Sequence, residues 1–431
     1  MSRNRDTLID GAHIVDPASG LDGKGRIFIR NGKIADIGRI GDADLPEEVE
    51  RIDARGLVAA PGLVDMRVFV GEPGSEHRET LASASQAAAA GGVTSFVCMP
   101  DTDPVIDDVA LVDFVERAAR DTAIVHVHPA AALTKGLRGK EMTEMGLLSE
   151  AGAIAFTDGR HAVTNSRVFL RALTYARDFD ALVMHHTEDP ELVGNGVMHQ
   201  GETATRLGLT GIPVSAETVM VDRDLRLVAQ ARARYHASQI SSADGLQAIA
   251  RARDAGLPVT AAASINHLTL NENDIGPYRT FLKLSPPLRS EEDRQALVDG
   301  LREGYIDAIV SSHDPQDVET KRHPFAEAAD GAVGLETLLS AALRLYHSGD
   351  ATLSVLIRAL STRPAEILGL DCGRLSAGSP ADIVLFDPDV PWIMHKEDLR
   401  SLSKNSPFDE ARLSGRVMRT LVAGRTVYAY A

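Results

Sequence analysis

Cysteine is almost absent from this chain: two residues in 431, Cys98 and Cys372. So far apart, they offer neither a disulfide framework nor a Cys-x-x-Cys metal pair, which suits a reducing compartment. Positive charge is also scarce. Lys and Arg total 45 against 61 Asp and Glu, for a formal charge of -16 and a pI near 5.3. Phosphate-backbone binding needs clustered cations that displace counterions, so nucleic acid is not an expected partner. No run approaches the length of about 18 apolar residues that a spanning helix needs, and no membrane partner is expected. The opening Met-Ser-Arg-Asn-Arg-Asp-Thr carries no apolar signal core, so the expected location is cytoplasmic.

What is present is an ordinary globular composition, 44% hydrophobic and 25% charged, in a chain long enough for one barrel-sized domain and a smaller module. The first fifty or so residues alternate short apolar runs with turn residues, and Asn31-Gly32 between Ile27–Arg30 and Lys33-Ile34 predicts a tight hairpin. The same texture returns in Ala381–Asp387 and Arg416–Tyr428, so the two ends are expected to pair into one β module. Between them, buried-strand runs at 94–99, 153–156, 181–186 and 306–311 alternate with helical patterns at 80–90, 166–177, 219–233 and 243–255. Repeated β-α units of this size predict an α/β fold, a closed (β/α)8 TIM-type barrel. The expected division is 1–58 and 361–431 for a small β-sandwich module formed by both termini, with the barrel at 59–360.

Chemistry in such a barrel sits at the C-terminal ends of the strands. Polar residues following the apolar runs are Arg67, Asp158, the His186-Thr187-Glu188-Asp189 segment, His236, His267 and His313. Histidines recurring at strand ends suggest a metal site. The first strand contradicts it. Where a strand ending Asp-x-His-x-His would present two imidazoles, Asp65 is followed by Arg67 and Phe69. A guanidinium offers only donors and a phenyl ring has no lone pair, so neither binds a divalent cation.

The segments Pro61-Gly62-Leu63-Val64-Asp65-Met66, Glu72–Thr80, Ala88–Thr94, Cys98-Met99-Pro100, Ser285-Pro286-Pro287-Leu288-Arg289, Gly334-Leu335-Glu336-Thr337 and Arg363–Leu370 give the chain a nearly end-to-end resemblance to the dihydroorotases, the long bacterial type within the amidohydrolase superfamily. That resemblance implies the amidohydrolase barrel, a place in de novo pyrimidine biosynthesis and an oligomeric assembly. It also shows what has changed. The family's His-x-His is Arg67 and Phe69 here, and its following Leu-Arg is Val70-Gly71. Its Met-Pro-Asn-Thr carries Asp101 in place of the asparagine, a charge that would repel a substrate carboxylate. Its Asn-Pro-Pro-Leu-Arg begins at Ser285. Its Asp-His-Ala-Pro-His is Ser312-His313-Asp314-Pro315-Gln316, so Ser312 replaces the catalytic aspartate. His186, His236 and Asp158 match or lie near metal-ligand positions, and His267 and His313 match substrate-side histidines.

Two readings follow. In the first, the cofactor is none or one residual zinc, catalysis is impaired, and the chain resembles family members that serve as structural partners of aspartate transcarbamoylase. Arg67 pointing at a divalent ion ~4 Å away would add repulsion of about 8 kcal/mol at an effective dielectric of ~20. In the second, His186, His236 and Asp158 hold one zinc, His313 or Asp314 acts as base, and the chain interconverts N-carbamoyl-L-aspartate and L-dihydroorotate. A hydantoinase-like activity on another cyclic amide needs the same metal and meets the same objection. Packed, hydrogen-bonded histidines and a turn role for Asp158 beside Gly159 are the plain alternatives. Arg67 is expected to pair with Asp158 or Asp314, and 314–323 to form a solvated loop over the mouth.

Overall fold

The computed structural model describes residues 6–430. Eight parallel strands, Leu63–Val68, Val93–Cys98, His126–Ala131, Ala155–Phe156, Val183–His185, Tyr235–Ala237, Val259–Ser264 and Ala308–Val310, pair in chain order. The ring closes where Val68 bridges His313 and the Phe69 amide donates to the His313 carbonyl (2.8 Å). This is the expected (β/α)8 barrel. Its interior is filled by Val64, Met66, Val97, Met99, Ala155, Met184 and Val310, with Ala365 and Ile367 packed against them.

Polar N-caps start the helices outside the barrel. Thr80 caps Leu81–Ala90, Asn165 caps Ser166–Asp178 and Ser242 caps Ala243–Asp254, each side-chain oxygen accepting from an orphan amide of the first turn. Three of the four expected helices thus begin within a residue of their predicted starts. The fourth, Ser215–Ala231, begins four residues before the 219 read from the sequence. Its start lacks a side-chain cap, so the sequence gives no sharp signal there.

Both termini build the β module. Strands Thr7–Asp16, Leu21–Arg30 and Lys33–Gly38 join Val58–Pro61, which pairs antiparallel with Ile383–Ile393. Asn31 (φ 52°) and Gly32 (φ 76°) make the expected hairpin turn, a conformation those two residues adopt with little strain. Ile9, Ile14, Ile27, Ile29, Leu385 and Leu421 form the module's own core. Val58–Pro61 lies in this sheet, whereas helix Arg363–Leu368 packs on the barrel. No helix among the described residues is long and apolar enough to cross a membrane.

Candidate active site

The first barrel strand is irregular where the chemistry would be. Its pairing with Val93–Cys98 slips between Asp65 and Val68. An extra residue in one strand redirects the side chains that follow. After Val64 and Met66 have filled the interior, Arg67 and Phe69 therefore both line the cleft at the barrel mouth. Asp65 secures the irregularity: one carboxylate oxygen accepts from the Arg67 amide (3.1 Å), the other from the Ser311 amide across the closure (3.2 Å). Full burial pushes the Asp65 carboxyl up to about 6.

Arg67 makes no ion pair among the described residues, correcting the pairing expected with Asp158 or Asp314. Its Nη1 is buried and has no hydrogen-bond partner among the described residues. Burial lowers its pKa, against the attraction of Asp101 and Asp314. Other arginines pair with Asp314 and with one oxygen of Asp101, whose Oδ1 accepts no hydrogen bond among the described residues. Asp314 accepts from Arg78 (3.0 Å) and Arg160 (2.5 Å), and Asp101 lies 3.6 Å from Arg160. Arg78 also stacks on Phe69, 4.5 Å from the ring centre, so the second replaced position is held as packing.

The retained histidines stand apart. His186 is buried, with Nε2 3.4 Å from Glu188 and Nδ1 unpartnered. Burial lowers its pKa; Glu188 opposes the shift and the charge of Arg67 adds to it, which places the guanidinium's field on the histidine expected to hold metal. His236 bonds Thr260 through Nδ1 (2.8 Å), has no partner at Nε2, and is driven by burial to about 4. Asp158 opens the expected turn, its carbonyl accepting from the His161 amide (3.0 Å) with Gly159 at φ 64°, and its carboxylate is not a free ligand. It is buried and accepts from the Thr134 amide (2.8 Å) and hydroxyl. No group of three or more His, Cys, Asp or Glu able to hold a metal ion occurs among the described residues. The donor set does not fit the two-metal centre that the family resemblance implies.

The remaining candidates occupy one wall. His267 Nε2 donates to the carbonyls of Pro286 and Pro287 (both 3.1 Å), leaving Nδ1 as a bare acceptor in the cleft. Ser285 donates to Glu188 (2.9 Å). Ser312, in the left-handed region at φ 52°, accepts from Gln239 Nε2 (2.8 Å). A serine hydroxyl there cannot take a proton at neutral pH as a carboxylate would. His313 is buried, its Nδ1 accepting from the Gly334 amide and its Nε2 3.5 Å from Glu79.

The 314–323 segment is solvated at Val318, Glu319, Arg322 and His323 but is not wholly a loop, and Pro315, Gln316 and Lys321 are buried. It contains the short helix Val318–Arg322, and the buried Lys321 ammonium donates to the carbonyls of Thr280 (3.0 Å) and Ala329 (2.7 Å). The sequence reading missed Arg160 and Gln239. The only signal for Arg160 was a cation two residues beyond Asp158 at a strand end.

An eight-strand barrel with inward histidines on its fifth and sixth strands, flanked by a β module from both termini, is the amidohydrolase architecture. The L-hydantoinase of Arthrobacter aurescens has the same fold, with a TM-score of 0.89, 24% identity, and coverage of 99% of this chain and 98% of that one. The chain belongs to the dihydroorotase family. A Dihydro-orotase-like family model matches residues 56–245. The dihydroorotase of Syntrophus aciditrophicus is 43% identical over 421 residues, covering 98% of this chain and 99% of that protein. That of Geobacter metallireducens is 40% identical over 421 residues, with the same coverage.

Proposed function

We propose that this chain is a dihydroorotase-family protein of pyrimidine biosynthesis that does not turn over substrate, and that it serves as a structural partner of aspartate transcarbamoylase. One observation carries the first half: Arg67, in no salt bridge among the described residues, lies where a metal-ligand histidine is expected, and its charge acts on His186. Hydrolysis or closure of a cyclic amide on this scaffold requires a polarising cation and a group that accepts the proton of the attacking nucleophile. Arg67 opposes the cation and Ser312 does not supply the base. The partnership rests on resemblance to non-catalytic family members.

The test is a turnover assay in both directions between N-carbamoyl-L-aspartate and L-dihydroorotate with zinc supplied, run beside elemental analysis. Turnover no greater than a protein-free blank is expected. Co-migration with aspartate transcarbamoylase on size exclusion tests the second half; a chain that neither co-migrates with that enzyme nor stabilises it is not its partner. The second reading, an active enzyme with a reduced metal site, is favoured by the unpartnered His186 Nδ1 and His236 Nε2. Chelator-sensitive turnover with stoichiometric zinc would establish it instead.

A further inference from the structure

Buried polar atoms without partners are uncommon in folded proteins, because each costs roughly 1–3 kcal/mol. Among the described residues twelve such atoms occur, and six of them, His313 Nε2 included, belong to side chains lining one cleft. The mouth cleft is lined by Arg67, Asp101, Gln239, Asn266 and His267. Each contributes a buried side-chain atom with no hydrogen-bond partner among the described residues: Arg67 Nη1, Asp101 Oδ1, Gln239 Oε1, Asn266 Oδ1 and His267 Nδ1. Glu188 Oε1, behind the lining residue Ser285, is also unpartnered.

The chemistry of the set is specific. Arg67 is a cationic donor, and His267 Nδ1 is fixed as an acceptor because Nε2 already donates to two carbonyls. Asp101 Oδ1 and Glu188 Oε1 are carboxylate oxygens, acceptors only. The guanidinia of Arg78 and Arg160 are engaged by Asp314 and Asp101. The cleft thus offers a guanidinium with no salt bridge among the described residues and, on Asp101 and Glu188, one carboxylate oxygen each that accepts no hydrogen bond. A ligand of net charge far from zero would leave one of these unanswered.

We propose that the mouth cleft binds a small zwitterion of the α-amino acid class, its carboxylate on Arg67 and its ammonium toward Asp101, with His267 and the amides of Gln239 and Asn266 as flanking partners. A dihydropyrimidine or N-carbamoyl acid carries no ammonium, so this ligand differs from what the fold's hydrolytic relatives are named for. The proposal rests on the reading that Arg67, not a metal, provides the positive charge in this cleft.

Thermal shift of the full chain with each of the twenty amino acids, followed by calorimetry on any that bind, tests it. At least one is expected to raise Tm by a few degrees, since a ligand that binds only the folded state stabilises it by mass action. Its matched carboxylic acid and matched amine should each bind at least tenfold more weakly. Arg67→Met and Asp101→Asn should each abolish the shift, and Arg67→Lys should retain part of it. Melting curves of the unliganded variants show whether they are folded. If no amino acid shifts wild-type Tm, or if the shift survives both substitutions in folded protein, the proposal is wrong and solvent satisfies these atoms. Running the wild type with and without chelator separates the two ideas: amino-acid binding that vanishes on zinc removal would overturn the metal-free reading, whereas no binding in either condition overturns only the zwitterion.

Discussion

Restoring the missing ligands should raise the zinc this protein holds. The perturbation is Arg67→His with Phe69→His, and the control is Arg67→Met, which removes the charge and adds no ligand. Repulsion between Arg67 and a divalent ion at ~4 Å is about 8 kcal/mol at an effective dielectric of ~20. At about 1.4 kcal/mol per decade this is a factor of roughly 10⁶ in affinity. Rotation of the side chain that relieved half of it would still leave ~10³. Burial limits that rotation, since Nη1 is enclosed by the cleft. The double variant would add two imidazoles to His186 and His236, both already presenting an unpartnered nitrogen. Zinc per chain, measured by elemental analysis after equilibration and dialysis, should be far below one for wild type, measurably higher for Arg67→Met, where the repulsion is gone but no ligand is added, and at least one for the double variant. The difference between the last two isolates ligand number from charge. Stoichiometric zinc in wild type, or equal chelator resistance in all three proteins, would refute the reasoning. Turnover in the double variant is not expected until Ser312→Asp is added. Asp tolerates the left-handed backbone at that position better than most residues do.

Three further outcomes follow from the geometry. His267 is depressed by burial from 6.5 to about 4, so the stability its neutral form contributes is full above pH 6.5 and is lost as pH falls toward 4. At pH 5 the lost part is about 1.5 units, or about 2 kcal/mol; urea melts at pH 7.5 and 5 should show His267→Gln losing less stability than wild type by that amount, and equal losses would contradict it. Asp224 is buried between His185 (2.6 Å), Arg223 (2.5 Å) and Tyr235 (2.8 Å), so Asp224→Asn should cost on the order of 3 kcal/mol by equilibrium denaturation. A Cβ on Gly91 would lie 2.0 Å from the Leu335 carbonyl oxygen, so Gly91→Ala must displace the helix Leu81–Ala90 and should lower Tm by several degrees; an unchanged Tm would show that the contact yields easily.

Much of the barrel was legible because short runs rich in β-branched and aromatic residues, such as Val93–Cys98, alternate with longer helical patterns, the mark of strands covered on both faces. The hairpin at Asn31-Gly32 was legible for a conformational reason, the positive φ of both residues. Two features of the mouth were not. The slip between Asp65 and Val68 cannot be read from alternation, because alternation assumes an unbroken register. The partners of Asp314 come from Arg78 and Arg160, separated from it by 236 and 154 residues, and a sequence carries no record of which distant cation arrives first. Arg67 was therefore assigned an acid that two other arginines occupy.

Those two arginines also explain how the scaffold tolerates the changed mouth. Inward-facing acids at a barrel mouth are costly when no cation answers them, since a carboxylate removed from water must be paired or protonated. Here Asp314 receives Arg78 and Arg160, Asp101 faces Arg160, and the neighbouring Lys321 and Lys283 ammonium groups are held by backbone carbonyls of the same rim. The rim is thus crosslinked by side chains that follow the first, second, fourth and eighth strands. Arg67 is not one of those crosslinks, and its charge is surplus to the structural need. Arg67 is half-buried, with an enclosed Nη1 that finds no hydrogen-bond partner among the described residues; a polar group removed from water without a partner is costly to keep, which favours a ligand at Arg67 over a purely structural role.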